Sequence, residues 1–267
     1  MIYDIHTEQA AQATLCRMTG ISMDLWESNI HREREYKLQD FFVEAMIQEY
    51  ATQSLPLSYK DFDFVYFHIT TSSDGCQSIQ KNGILDLRES YKCRDSELRR
   101  FLDEHGVNIN LDYAILSYCG HQYDITFRGT PWDTHSEQYK RWSVGRKFYY
   151  DYATCGFLSV WQGNPYGGWV HKRPEILMDI DALLGTCLSE EWEQMHKPYA
   201  VLAKVSGKDI CYFSDDDESE REKVMAYTVM AYNAALNAVH EEIILLKNGV
   251  QIPPENILEI KPFTIWA

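Results

Sequence analysis

Phe-Val-Tyr-Phe-His-Ile-Thr-Thr, residues Phe64–Thr71, is the stretch whose reading decides the fold. Taken from Phe62 to Thr70, strand alternation puts Phe62, Phe64, Tyr66, His68 and Thr70 on one face and Asp63, Val65, Phe67 and Ile69 on the other. Both faces are largely apolar, which predicts an interior strand rather than an edge one. His68 and Thr70 leave the end of that strand side by side. An imidazole and a hydroxyl aimed the same way from a buried strand have the geometry of a site.

Working outward, Ser72, Ser73 and Asp74 are N-cap candidates for a helix over Gly75–Lys81, and Asn82-Gly83 supplies its stop. Upstream, Thr7 to Tyr50 reads as helical, with Phe42, Met46 and Glu49/Tyr50 at three- and four-residue spacing. Leu55-Pro56-Leu57 breaks that pattern ahead of the His68 strand. Downstream, a short helix is expected over Asp95–Glu104 and strand or loop over Leu111–Phe127. Two clearer strands are expected at Glu175–Ile180 and Tyr199–Val205, with a helix over Asp181–Met195 between them. The acidic run Ser214–Glu222 opens a further helix, where carboxylates favour the positive end of the helix dipole. A divalent-cation site is the competing use of those acids. That helix runs to Val239 with Met225, Val229, Tyr232, Leu236 and Val239 as its core stripe.

Composition bounds the function. At 267 residues, 45% hydrophobic and 24% charged, the chain has the make-up of a soluble globular protein with a sizeable core. No apolar stretch approaches the roughly 20 residues of a membrane helix, and the N-terminus shows no secretory pattern, so no membrane association is expected. Seven scattered cysteines without C-x-x-C spacing point to reduced thiols in a cytoplasm and give no zinc motif. The formal net charge of −15 argues against broad binding to a phosphate backbone. Lys140, Arg141, Arg146 and Lys147, interleaved with aromatics, leave room for a local basic lane. No P-loop, dinucleotide-binding glycine fingerprint or Gly-x-Ser-x-Gly elbow is present in the sequence.

The last element begins at His240-Glu241-Glu242, continues as Ile243-Ile244-Leu245-Leu246, and is followed by the Val250–Ile260 tail. A carboxylate at the mouth of a continuous apolar strand is held rigidly and partly dehydrated, where it stabilises positive charge. The tail turns at Pro253-Pro254 and tucks back through Ile257 and Ile260.

The order of these parts resembles the ADP-ribosyltransferase superfamily: His-x-Thr on an early strand, a short helix ending in Gly-Ile, a late Glu leading an apolar strand, and an Ile-Pro-x-x-x-Ile tail. The closer match is the His-Tyr-Glu branch of poly-ADP-ribose polymerases, diphtheria-type toxins and bacterial toxin-like enzymes. It covers Phe62–Leu87 and Val239–Ile260, and the middle of the chain only loosely. The resemblance implies an α+β fold with a split β-sheet core, an N-terminal helical annex over residues 1–58, and a catalytic domain over 59–267. It implies NAD as substrate, no metal, and a macromolecular acceptor, nucleic acid or protein. Members of this size are often toxins or antiviral defence effectors, which implies a cytoplasmic protein with an antitoxin partner.

Residue by residue, His68 corresponds to the histidine that hydrogen-bonds the nicotinamide-side ribose, with Thr70 beside it. Glu242 corresponds to the glutamate that accepts from the ribose 2′-hydroxyl and stabilises the oxocarbenium-like transition state. Glu241 is the alternative, since alternation lets only one of the two face a cleft. For the ring that stacks on nicotinamide, Gly145–Tyr152 offers Tyr149 and Tyr150, and Asn164–Trp169 offers Tyr166. No clean Gly-x-Tyr-Phe-Ala is present, so the choice stays open; among 18 tyrosines most are packing residues. NAD glycohydrolysis and a non-catalytic binding or immunity protein are the competing functions.

Overall fold

The computed structural model describes residues 1–126, 128–159, 169–211, 218–236 and 242–264. In chain order the elements begin β1 (Ile2–Tyr3), α1 (Glu8–Thr19), α2 (Met23–Asn29), α3 (Gln39–Tyr50), β2 (Asp63–Ser72), α4 (Gln77–Asn82), α5 (Leu87–Lys92) and α6 (Glu97–Glu104). They continue β3 (Asn108–Asn110), β4 (Ile115–Tyr118), β5 (His121–Asp124), α7 (Glu137–Tyr149), β6 (Cys155–Ser159), α8 (Glu175–Leu184), α9 (Leu188–Met195) and β7 (Lys197–Ser206). Last come β8 (Ile210–Cys211), α10 (Glu220–Leu236), β9 (Glu242–Leu246) and β10 (Ile257–Pro262). The fold is mixed α+β. The main sheet has strand order β10-β7-β2-β6-β9-β8 with β1 beside β2, and β3-β4-β5 form a separate antiparallel sheet. No helix among the described residues is long and apolar enough to cross a membrane.

Two compact units divide the chain. The first takes the described residues of Met1–Phe67, Cys155–Asn164 and Leu202–Leu245. The second takes those of His68–Thr154, Pro165–Val201 and Leu246–Ala267.

Unit one is built on aromatic packing. Tyr3, on β1 opposite Phe64, is fully buried with its ring 4.9 Å from Phe64 and 5.4 Å from Tyr227 of α10. Its hydroxyl donates to the Tyr227 carbonyl at 2.8 Å, so its one strong polar group is satisfied in the core. A second group, Trp26, Phe42 and Tyr232, joins α2, α3 and α10. The helices of residues 1–58 therefore share this unit with α10, against which α1 and α3 pack.

The start of α10 matches the expectation drawn from its acids. Glu222 accepts from the Ser219 amide at 2.7 Å while Ser219 Oγ accepts from the Glu222 amide at 3.3 Å, a reciprocal capping box. Residues 214–217 of the acidic run and Val239 lie outside the described residues. The expected core stripe holds at Tyr232, which is buried, and is otherwise corrected: Val224, Tyr227, Thr228, Ala231, Ala234 and Ala235 are buried with it, whereas Met225, Val229 and Leu236 are half-exposed. The buried face combines two large rings, Tyr227 and Tyr232, with the small side chains of Ala231, Ala234 and Ala235.

Within unit one, β6 runs antiparallel to both β2 and β9. Phe67, Phe157 and Ile243 lie in one register row across the three strands, and a bulge at Leu158 lets Ser159 pair with Glu242. Gly156 makes this packing possible. A Cβ there would sit 2.4 Å from Tyr66 Cδ2 and 2.8 Å from the Phe67 carbonyl oxygen, so the Tyr66 ring lies flat on the bare backbone of β6. This strand was missed in the sequence, where Cys-Gly-Phe-Leu-Ser offers no alternation.

Unit two packs α5 to α9 around Tyr91, Phe101, Leu102, Val144, Phe148, Leu177, Ile180 and Trp192. Here Glu175–Ile180, expected as a strand, is the first part of α8. Pro174 stands at its N-cap, and Ile176, Leu177, Ile180 and Leu183 recur at helical spacing on its buried face. Gly185, at φ 70°, ends α8 and separates it from α9, so the expected single helix over Asp181–Met195 is two. The helix after β2 stops at Gly83 as expected, with φ 80° and only 1.9 Å between an added Cβ and the Ile252 carbonyl oxygen. Just beyond it Ile84 and Ile252 exchange two backbone hydrogen bonds of 2.9 Å, which pin the C-terminal segment. The turn at Pro253-Pro254 and the return through β10 are present.

Gly156→Ala is expected to destabilise the protein by about 1–3 kcal/mol through overpacking against Tyr66. Urea unfolding of the variant beside the parent chain measures it; equal midpoints would show that β6 and Tyr66 shift apart freely.

Candidate active site

β2 is an interior strand, flanked by β7 and β6, as its two apolar faces require. Phe62, Phe64, Val65, Tyr66 and Ile69 are buried, and His68 and Thr70 are half-buried. The strand's end is fixed by side chains of unit two. Trp192 Nε1 donates to Thr71 Oγ1 at 2.8 Å, and Ser72 Oγ donates to Glu97 at 2.5 Å. Ser72 Oγ also accepts from the Cys76 amide at 2.7 Å, and Asp74 accepts from the Gln77 amide at 3.0 Å. The expected N-cap is corrected: α4 starts at Gln77 with Cys76 in the N-cap position at φ 63°, and Ser72 and Asp74 brace the turn that leads into it.

Glu242 is the first residue of β9 and is half-buried, ahead of Ile244 and Leu246, which are buried. Its backbone is held by the pairing with Ser159, itself 1% exposed. Burial drives the Tyr3 hydroxyl well above the ordinary phenol range, and Tyr227 and Glu242 push it further in the same direction. The Glu242 carboxylate is thus within electrostatic reach of the buried aromatic group of unit one. Glu241 lies outside the described residues.

His68 is the first residue of unit two and Glu242 belongs to unit one. Within unit one, Phe67 of β2 and Ile243 of β9 are the two ends of one row through Phe157. Because β2 and β9 both run antiparallel to β6, they run parallel to each other.

Tyr149 and Tyr150, both at the C-terminal end of α7, differ sharply. The Gly145–Tyr152 stretch is the C-terminal end of α7, and Gly145 is needed for packing, since its Cβ would lie 1.9 Å from the Ile125 carbonyl oxygen. Tyr149 is half-buried against the unit-two core, donates its hydroxyl to the Leu111 carbonyl at 2.6 Å, and has the Arg88 guanidinium 5.4 Å from its ring. Tyr150 is 62% exposed at the helix end. Tyr166 lies outside the described residues. Trp169 holds φ 56°, uncommon for a bulky residue, with Lys172 Nζ 4.1 Å from its ring.

The basic lane on α7 is largely neutralised. Arg141 pairs with Glu137, Arg146 with Asp151 at 3.5 Å, and Lys147 with Asp151 and Glu175 at 2.8 and 2.7 Å. Among the described residues no group of three or more His, Cys, Asp or Glu side chains is arranged to hold a metal ion.

The sequence reading passed over Tyr66 Oη. It is fully buried without a hydrogen-bond partner, and burial raises its pKa above the ordinary phenol value. The signal was the alternation that put Tyr66 on the same face as His68, although alternation cannot report what a hydroxyl meets.

Tyr66→Phe removes a buried unsatisfied group and is expected to stabilise the fold by about 1–3 kcal/mol, read from the urea midpoint. Tyr149→Phe, which breaks a formed bond to Leu111, is expected to cost about 0.5–1.5 kcal/mol in the same assay. A neutral result for Tyr149→Phe would show that its hydroxyl carries no packing role.

No protein-family model, curated protein or solved structure matches the chain.

Proposed function

We propose that the chain is an NAD-dependent ADP-ribosyltransferase with Glu242 as its principal catalytic carboxylate. The observation that carries this reading is the setting of Glu242: a half-buried acid opening an apolar strand, paired through its backbone with buried Ser159 and beside the buried Tyr3 group. Heterolysis of the bond between ribose C1′ and the nicotinamide nitrogen sends the bonding electron pair to nicotinamide and builds positive charge on C1′. A fixed, partly dehydrated carboxylate favours that charge over the neutral-sugar ground state. Glu242 accepts from the ribose 2′-hydroxyl, and the resemblance to the family gives His68, with Thr70 as its neighbour, the role of hydrogen-bonding the nicotinamide-side ribose. Tyr149, Tyr150 and Tyr166 remain the candidates for stacking on the pyridinium ring, and the exposure of Tyr150 favours it over the packed Tyr149. The acceptor's nucleophile then bonds to C1′ and loses its proton to solvent.

The acceptor is a macromolecule. The paired state of the α7 cations and the net charge of −15 favour a protein over a nucleic acid. A toxin or antiviral effector acting in a cytoplasm, restrained by an antitoxin, is the biology that accompanies this reading.

Labelled NAD incubated with the full chain and cell lysate is expected to pass label to macromolecules. In Glu242→Ala the rate is expected to fall on the order of 10²–10³-fold with the fold retained. Release of free ADP-ribose alone would mean that water is the acceptor. Full activity in Glu242→Ala would refute the assignment of that carboxylate.

A further inference from the structure

Arg88 of α5 has its guanidinium carbon 5.4 Å from the ring centres of both Tyr149 and Tyr152, all within unit two. The clamp is held by bonds that do not involve the guanidinium. Tyr149, at the end of α7, packs on the unit-two core and donates its hydroxyl to the Leu111 carbonyl at 2.6 Å. The Tyr152 carbonyl accepts from the Leu87 amide at 3.1 Å, which ties the start of α5 to the same segment. Both rings are therefore in place around the arginine before any ligand arrives.

No acid completes the clamp. Five arginines among the described residues lie over aromatic rings, and four of them also pair with a carboxylate: Arg99 with Asp103, Arg141 with Glu137, Arg146 with Asp151 and Arg173 with Glu193. Arg88 is the fifth, and its N–H groups have no protein acceptor among the described residues. The chain has 40 acidic residues against 25 lysines and arginines, so carboxylates are not scarce. The acids nearest in sequence are engaged elsewhere. Buried Asp86 accepts from the Glu89 amide at 2.8 Å, Glu89 pairs with Lys92 at 2.6 Å, and Asp151 pairs with Lys147 at 2.8 Å. Burial raises the Tyr149 hydroxyl, Arg88 opposes that rise and Asp112 adds to it, yet Asp112 makes no ion pair with Arg88.

A guanidinium presents five N–H donors in a flat fork that matches two oxygens of a carboxylate or a phosphate. Contact with aromatic rings attracts its charge but brings no oxygen to that fork. We propose that Arg88, clamped by Tyr149 and Tyr152, is a phosphate-binding site of unit two.

The donors at the clamp favour phosphate over carboxylate. Tyr152 is half-buried, and its hydroxyl has no partner among the described residues. A carboxylate offers two oxygens, both taken by the fork, whereas a phosphate keeps a further oxygen for the hydroxyl. The site suits one phosphate rather than a chain of them. Arg146 and Lys147 of the neighbouring α7 are already paired with acids, and the net charge of −15 opposes a nucleic-acid backbone. The inference goes beyond the transferase reading, since neither His68 nor Glu242 takes part in it, and its test needs no NAD.

Nitrogen-15 NMR of the full chain follows the Arg88 Nε–Hε signal during titration with sodium phosphate, with sodium chloride and sodium acetate as controls at equal ionic strength. A saturable shift with phosphate and none with chloride is expected. No response to phosphate would overturn the site, and acetate moving the signal as far as phosphate would overturn the choice of ligand. Ribose 5-phosphate separates the two sources of the group. Tighter binding than phosphate identifies an esterified ligand and weaker binding the free anion, and either supports the site. By calorimetry, Arg88→Gln is expected to weaken phosphate binding by about tenfold or more, and Arg88→Lys, which keeps the charge without the fork, to restore it only in part. Equal phosphate affinity in the parent and Arg88→Gln also overturns the proposal. If Arg88→Gln does not fold, the parent's Arg88 signal decides.

Discussion

The sheet of unit one depends on a missing side chain. β6 can lie between β2 and β9 only because Gly156 leaves its backbone bare for the Tyr66 ring. Glycine in a strand interior is entropically costly and packs nothing of its own. Here that cost is offset by the burial of a full aromatic ring and by the stacking of Phe67 on Phe157, 5.9 Å apart, on the other face. The register that follows gives Glu242 its pairing with Ser159, and the bulge at Leu158 sets where that acid falls.

Unit one leaves two polar groups of its core without partners. Trp26 Nε1 and Tyr66 Oη are both fully buried and unbonded, whereas Tyr3 is satisfied through Tyr227 and Tyr232 through Glu33 at 2.8 Å. An aromatic core so rich in tyrosine and tryptophan gains apolar area but must find an acceptor for each ring's polar end. It succeeds for Tyr3 and Tyr232, and fails for Tyr66, which lies against the backbone of β6, and for Trp26, which is enclosed by Phe42 and Tyr232.

Legibility in the sequence followed the strength of local periodicity. β2 announced itself through nine largely apolar residues, and α3 through helical spacing. β6 was invisible because five residues containing a glycine and no clear alternation carry no period. α8 was misread because a short apolar run fits a buried strand or a buried helix equally well, and only its packing on α7 separates the two. α10 was found with Tyr232 on its buried face, but the rest of that face is Val224, Tyr227, Thr228 and three alanines, not Met225, Val229 and Leu236. For the site, the half-burial of His68 and the strand-opening position of Glu242 were readable. The pairing of Glu242 with Ser159, the commitment of Tyr149 to Leu111 and the clamping of Arg88 by Tyr149 and Tyr152 were not, because each joins residues remote in the chain.

The bridge between Ile84 and Ile252 gives the C-terminal stretch a structural duty. Its two backbone bonds hold the residue just past the helix stop, and at Gly83, with φ 80°, the absence of a Cβ leaves room for the Ile252 carbonyl. A protease nick or an early stop codon just ahead of Val250 would thus do more than shorten the polypeptide. It would strip the cover from a turn that no other described backbone segment is bonded to, so this protein should tolerate fusion partners after its last strand far better than trimming before it.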